Sequence, residues 1–276
     1  MNFTLKPLND KLFADFSKLV FDQSGIYLKS EKKELLNARL GKRLRKCGFD
    51  SFEAYYNHVV NDTSGEEIIQ LLDSVSTNFT SFFREKAHFD YLTATVLPEF
   101  LKSAAETRKL SFWSAAGSSG EEPYTLAIVI NDFFAKNPGW NCSVLATDLS
   151  TRVLNIARNG VYDMNRVASL PPEVLKKNFM KGTGKGSGYA KVKDHIRNMV
   201  TFQRFNLMHR FTWPEPFQVI FCRNVMIYFN KKTQEELVAK FYNCLEPNGY
   251  LFIGHSESLS SIKHSFTRVA PTVYRK

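Results

Sequence analysis

Residues 110–148 read LSFWSAAGSSGEEPYTLAIVINDFFAKNPGWNCSVLATD, and this stretch decides the fold. An apolar run from Leu110 to Ala116 predicts a buried strand. Gly117, Ser118, Ser119 and Gly120 form a small-residue turn, and an amphipathic helix is expected from about Glu121 to Lys136. A second apolar run, Cys142 to Thr147, closes on Asp148, giving a β-α-β unit with a tight turn after its first strand and a carboxylate after its second. Small residues let a ligand approach the helix N-terminus, and the later aspartate accepts hydrogen bonds from ribose hydroxyls. The turn lacks the G-x-G-x-x-G spacing, and Glu121 and Glu122 place two negative charges where a pyrophosphate would sit. The expected ligand is therefore a nucleoside that is cationic or zwitterionic, and S-adenosylmethionine has a ribose, no phosphate and a positive sulfonium.

Composition sets the outer bounds. A chain of 276 residues, 43% hydrophobic, can bury one large core with a smaller appendage. No apolar run reaches the roughly 18 residues of a membrane span, and the N-terminal MNFTLKPLNDK lacks an apolar signal core, so a soluble, cytoplasmic, monomeric protein without membrane insertion is expected. The four cysteines are far apart and suggest neither a disulfide framework nor a metal site, and the six histidines show no H-E-x-x-H spacing. A net charge of +10 calls for an acidic partner, which a nucleic acid or an acidic protein surface would satisfy equally.

The first 76 residues read as all-helical. Helices are expected at Leu8–Asp22 with Gly25 as a stop, at about Ser30–Cys47, at Ser51–Val60 after an Asp50 cap, and at Glu66–Ser74. In the second, Leu36, Leu40, Leu44 and Cys47 share one face, while Lys32, Arg39, Arg43 and Lys46 fall alongside it. Eight basic side chains against two acids between positions 29 and 46 leave a local balance of +6. Such a stripe is either a solvated face or a docking face for an acidic helix. Ser76 to Glu85 then alternates polar groups with Phe79, Phe82 and Phe83. Its Asn78, Thr80 and Arg84 either cap and flank a helix expected over Arg84–Ala105 or point at a ligand.

Beyond Asp148, a helix at Ser150–Asn159 precedes an interruption at about 161–200 that carries Pro171-Pro172, a basic run and the glycines 182, 184, 186 and 188. The glycine run lacks the Gly-Lys-Ser/Thr ending of a phosphate loop and precedes an alternating Tyr189-Ala-Lys-Val-Lys, so it is expected to be a hairpin turn in a small β insertion. Strands follow at Met199–Arg204, ending in Asn206-Leu207, and at Phe217–Cys222, ending in Arg223-Asn224. A helix at Lys231–Leu245 stopped by Pro247-Asn248-Gly249, a strand at Tyr250–Gly254 and a last, antiparallel strand at Phe266–Tyr274 complete the chain. The pattern is that of a doubly wound α/β sheet, whose ligands gather beyond strand C-termini, where Gly117, Asp148, Asn206 and Arg223-Asn224 all fall.

Five stretches, TNFTSFFRE (77–85), WSAAGSSGEEPYTLA (113–127), Asp148, FCRNVMIYF (221–229) and LFIGHSESL (251–259), closely resemble the CheR family of chemotaxis-receptor glutamate O-methyltransferases. FMKGTG (179–184) resembles the opening of that family's β-subdomain. The resemblance implies a class I methyltransferase, Rossmann-like and S-adenosylmethionine-dependent. Its expected parts are a receptor-docking helical domain (1–76), a cofactor domain (77–276) and a small antiparallel β insertion at about 161–200. It places cofactor contacts at Asn78, Thr80, Arg84, Glu122, Asp148, Asn206, Leu207, Arg223 and Asn224, sets Tyr228 beside the transferred methyl group, and makes Arg84 and Tyr228 the catalytic, substrate-side groups. Receptor helices would be the acidic partner of Lys32, Arg39, Arg43 and Lys46, a receptor C-terminal peptide would tether to the β insertion, and S-adenosylhomocysteine would be the second product. Two rival readings are a nucleic-acid methyltransferase and a non-catalytic cofactor-binding scaffold. The position of the first rival's Asn/Asp-Pro-Pro-aromatic loop reads Arg223-Asn224-Val225-Met226, and intact Arg84, Asp148 and Tyr228 speak against the second.

Overall fold

A computed structural model of the chain describes residues 5–76 and 78–276, so Thr77 of the first motif and the first four residues lie outside the described residues. Four helices come first, α1 (Asp10–Ser24), α2 (Lys33–Cys47), α3 (Phe52–Asn61) and α4 (Glu66–Val75), and a single 3₁₀ turn at Ser30–Lys32 leads into α2. Each has a local start or stop signal. The Asn9 side chain accepts from the Leu12 amide, and Gly25 and Gly48 end α1 and α2 in the left-handed conformation that glycine tolerates best. Ser51, one residue after the expected Asp50, caps α3 by accepting from the Ala54 amide. Leu36, Leu40 and Leu44 join Phe16, Val20, Tyr55 and Leu71 in a separate apolar core. Cys47, expected on that face, is exposed at the helix end instead.

The linking helix begins later than expected, with α5 (Ala87–Tyr91), a wide π turn at Leu92–Val96 and α6 (Leu97–Ser103); residues 84–86 belong to a turn. The β-α-β unit is β1 (Lys109–Ala115), α7 (Glu121–Phe134) and β2 (Asn141–Asp148), followed by α8 (Thr151–Asn159). The insertion contains β3 (Val161–Asp163), α9 (Met164–Val167), α10 (Pro172–Asn178), β4 (Phe179–Lys181), β5 (Tyr189–Val192) and α11 (Asp194–Arg197). Its strands form an antiparallel sheet in the order β3-β5-β4, with the glycine run as the β4–β5 turn.

The main sheet resumes with β6 (Val200–Arg204), β7 (Phe217–Cys222), α12 (Lys231–Cys244) and β8 (Leu245–Ile253), and ends in β9 (Thr267–Ala270) and β10 (Val273–Arg275). Its order is β6-β2-β1-β7-β8-β10-β9, parallel except where β10 pairs with β8 and β9. Alternate residues serve opposite faces. Phe112, Val219, Phe221 and Phe252 enter one core, while Trp113, Ile220, Cys222 and Ile253 enter the other. Both faces are therefore covered, as a doubly wound sheet requires.

Two expectations are corrected here. Pro247-Asn248-Gly249 does not separate α12 from a strand, because β8 starts at Leu245, opposite Phe217 of β7, and absorbs the triplet at a shift in register. The single last strand is a hairpin, turning at Thr272 with φ 56°. Strand order reverses beside β1, with β2 on one side and β7 on the other, and that switch point is where an open α/β sheet binds its ligand.

Candidate functional site

A cleft of about 560 Å³ opens at this switch point, between the C-terminal strand ends and the Ser24–Arg39 region of the helical segment. All ten residues assigned to cofactor and methyl transfer line it, namely Asn78, Thr80, Arg84, Glu122, Asp148, Asn206, Leu207, Arg223, Asn224 and Tyr228. Their surroundings separate them into groups that face a ligand and groups that hold the wall.

Asp148 ends β2, and its carboxylate accepts backbone N–H bonds from Ser118 and Ser150, both at 2.9 Å. Burial pushes its pKa up to about 6, against the lowering effect of those amides. A carboxylate offers about four lone-pair sites, so acceptor capacity remains for a vicinal diol. The turn that supplies the Ser118 amide is tightly made. Gly120 has φ 100°, and a Cβ there would lie 2.6 Å from the Tyr162 hydroxyl and 2.9 Å from Ala157 Cβ, so glycine is required.

The paired acids of the turn part company. Glu121 is buried and bonded to Ser119 Oγ and Arg166, outside the cleft lining. Glu122 lines the cleft, accepting from Ser114 Oγ at 2.7 Å and from Arg223 Nη1 at 2.9 Å, and burial raises its pKa. The expectation of two negative charges facing the ligand is thus corrected to one, already bridged by an arginine. The turn alone does not exclude a phosphate.

Arg223 is almost wholly inaccessible and acts as a hub. Its guanidinium bonds Glu122, Glu85 at 2.9 and 3.3 Å, and the Arg84 carbonyl, and it lies over the Phe89 ring. Burial would raise the Glu85 pKa, but hydrogen bonds from Arg223 and Asn224 outweigh it and hold the group below the usual range. The Arg223 cation is therefore engaged by neighbouring acids inside the cleft wall. Asn206 is similar: its amide donates to the Gln23 carbonyl at 2.6 Å and accepts from the Met208 amide at 3.0 Å, tying the end of β6 to α1. Asn78 donates to Ser76 Oγ, and its carbonyl accepts from Ser118 Oγ, which fixes the 78–80 segment against the glycine turn.

Arg84 and Tyr228 both line the cleft. Arg84 Nη1 donates to the Phe79 carbonyl at 2.9 Å, and its guanidinium rests 5.8 Å from the Phe79 ring centre. The Tyr228 carbonyl accepts from the Tyr27 amide at 2.8 Å, joining the helical segment to the loop after β7.

Sequence reasoning missed Glu257. Its carboxylate accepts the backbone N–H groups of Asn224 (2.9 Å), Val225 (3.0 Å), Ile227 (3.3 Å) and Gly254 (2.6 Å), clamping the loop that carries Asn224 and Tyr228. Asn224 is held at φ 58°, uncommon for a residue with a side chain. The signal was present in His255-Ser256-Glu257 after β8, but a carboxylate that binds amides has no spacing rule of its own. Glu85, His88 and His255 also converge, with one potential metal-ligating atom from each lying within 4.8 Å of the others. Arg223 and Asn224 already occupy the Glu85 carboxylate, and a metal cation there would face a guanidinium. Burial drives the His88 pKa down to about 3, so the ring is neutral.

The basic stripe of α2 divides. Arg43 forms a two-pronged ion pair with Glu67 (2.9 and 2.6 Å), which also accepts from the Tyr55 hydroxyl, and both charged side chains are largely covered. Arg39 donates to the carbonyls of Val75 and Ser76 at the end of α4. Lys32 and Lys46 remain exposed, and Lys32 and Arg39 line the cleft. Of the four expected docking residues, Arg43 is already paired within the helical segment, fastening α2 to α4 through an acid 24 residues away.

A family model described as CheR methyltransferase, SAM binding domain, matches residues 78–275, and another, CheR methyltransferase, all-alpha domain, matches residues 11–76. The chain belongs to the CheR methyltransferase family. The curated chemotaxis protein methyltransferase of Escherichia coli (strain K12) is 39% identical over 269 residues, spanning 97% of this chain and 91% of its own. That of Borreliella burgdorferi is 39% identical over 279 residues, spanning 100% and 97%. Membership of the CheR family makes S-adenosylmethionine the cofactor, and the cleft fits it: a buried carboxylate with free acceptor capacity stands at one strand end and an arginine-bridged glutamate at its neighbour.

Proposed function

We propose that this chain transfers a methyl group from S-adenosylmethionine to glutamate side chains on chemoreceptor helices, giving glutamate 5-O-methyl esters and S-adenosylhomocysteine for sensory adaptation. The supporting observation is the single cleft that gathers Asp148, Glu122, Arg84 and Tyr228 in a member of this methyltransferase family. When bound, the cofactor supplies a methyl group made electrophilic by its sulfonium. Asp148 holds the ribose hydroxyls, and Asn78, Thr80, Glu122 and Leu207 wall the remainder. Glu85 and Glu122 fix Arg223, and Glu257 fixes the loop of Asn224 and Tyr228, so the wall needs little reorganisation during reaction.

A glutamate has a pKa near 4.3 and is ionised at neutral pH, so the reaction needs no general base. Arg84 orients the incoming carboxylate by charge-assisted hydrogen bonds, and Tyr228 lines its approach. Opposite charges cancel as the bond to carbon forms, so a water-poor cleft favours the less polar transition state, while Arg84 offsets the cost of desolvating the carboxylate. Placement of this kind contributes up to about 7–11 kcal/mol to a bimolecular reaction.

The receptor approaches across the mouth, past exposed Lys32 and Lys46, on the cytoplasmic side of the membrane. Among the described residues no helix is long and apolar enough to cross one. A receptor C-terminal peptide adds as a further strand to an outer edge of the β3-β5-β4 sheet. Labelled cofactor incubated with the host's receptor-containing membranes tests the central reading. The expected product is label on receptor that mild base releases as methanol; base-stable label, or label on nucleic acid, refutes it.

A further inference from the structure

Nine large apolar side chains are exposed among the described residues, and four of them, Tyr27, Leu35, Phe79 and Ile227, line this one cleft. They come from three separate stretches: the segment from α1 into α2, the polar-aromatic motif, and the loop after β7. Phe79 is 78% exposed although its ring lies against the Arg84 guanidinium. Lys29, Lys32, Arg39 and Arg84 line the same opening. A cluster of exposed apolar side chains marks a binding surface, because isolated ones scatter over a protein without pattern.

Cations alone suffice to attract an acidic helix, and excluding water from the reacting carboxylate does not call for apolar side chains left exposed to solvent around the opening. A helix does, because residues three and four positions from the target glutamate project on the same side and reach a surface together with it. Resting on the receptor-methylating reading, we propose that Tyr27, Leu35, Phe79 and Ile227 form an apolar collar around the entry to the cleft. The collar receives aliphatic side chains one helical turn to either side of the target glutamate, while Lys29 and Lys32 meet the acidic flank of the same helix. The enzyme then selects an amphipathic acidic helix over a merely acidic one.

The test uses the full chain, a purified receptor cytoplasmic fragment, and Phe79→Ser, Ile227→Ser and Phe79→Leu. Each serine variant should raise KM for the fragment about tenfold, which is about 1.4 kcal/mol, with S-adenosylhomocysteine affinity within twofold of the parent. Phe79→Leu should restore most of the loss. The KM effect should persist at about 0.5 M salt, where the Debye length is only a few ångströms and any contribution from Lys32 is screened. In the fragment, replacing aliphatic residues three and four positions from the methylated glutamate by Gln should raise KM for the parent enzyme and have little further effect on the variants. Unchanged KM, or a matching loss of S-adenosylhomocysteine affinity that assigns these side chains to the cofactor wall, overturns the collar. A fall in kcat alone for Phe79→Ser would assign Phe79 to holding Arg84 and likewise overturn it. If the parent enzyme places no base-labile methyl on the fragment, the methylation reading itself fails, an outcome distinct from all of these.

Discussion

The strand edge of the cofactor domain meets the expectation its sequence raises, whereas the basic face of α2 only partly does. At the strand edge, topology determines where a side chain stands, and Asp148, Arg223 and Asn224 reach the cleft because their strands end there. On α2, helical periodicity gives a face but not what that face meets. Arg43 meets Glu67, and Arg39 meets the end of α4. Arg223 belongs to both cases, since it is in the cleft wall but its charge is turned to internal acids. A cation count measures demand for acidic groups without saying whether the chain supplies them itself.

Removing the cation most fully engaged inside the molecule sharpens the contrast. Arg223→Ala leaves Glu85 and Glu122 buried without their partner. It should cost about 3–5 kcal/mol in urea denaturation, as breaking a buried pair does, and abolish methyl transfer. Arg84→Ala should leave unfolding nearly unchanged and lower kcat by about a hundredfold, or about 2.7 kcal/mol, in single-turnover assays; near-normal turnover would remove Arg84 from the mechanism. Arg43→Ala should behave in the reverse sense. A loss of about 2 kcal/mol in stability, below that for a fully buried pair, should come with an unchanged KM for receptor in the surviving folded enzyme.

Acidity probes Asp148. On the proposed role of Asp148, ribose hydroxyls donate to its ionised form, so cofactor binding should lower a pKa that burial holds at about 6. Affinity for S-adenosylhomocysteine should be full above pH 6 and weaken as pH falls through 6, by up to tenfold per unit, in calorimetric titrations. The effect of the unliganded group on stability has the opposite sign. A raised carboxylate pKa makes folding less favourable as pH climbs from about 4 to 6. The smallest effect belongs to the solvated side of the comparison. Lys32→Glu with Lys46→Glu should raise KM for receptor a few-fold at low salt and lose that effect at high salt.

What the sequence made legible follows the same division. The β-α-β unit, the strand ends and the hairpin at glycines 182–188 are local patterns that tertiary structure did not overrule. The start of β8 was hidden because Pro247-Asn248-Gly249 carries strong stop chemistry, and only pairing with β7 reveals the strand running through it. The cap of α3 was displaced by one residue because Asp50 and Ser51 have the same capping ability. The pairs Arg43–Glu67 and Arg223–Glu85 bring together residues 24 and 138 positions apart, and nothing in either local pattern announces them.

Glu257 also bears on how the protein is made. The carboxylate that grips the Asn224 amide lies 33 residues closer to the C-terminus than the loop it grips. A nascent chain halted shortly after α12 would already contain every residue assigned to the cofactor, yet the turn bearing Tyr228 would lack its anchor. Competence therefore waits until Glu257 has been made, and a C-terminal truncation that spares all assigned residues but removes Glu257 should still yield an inert product.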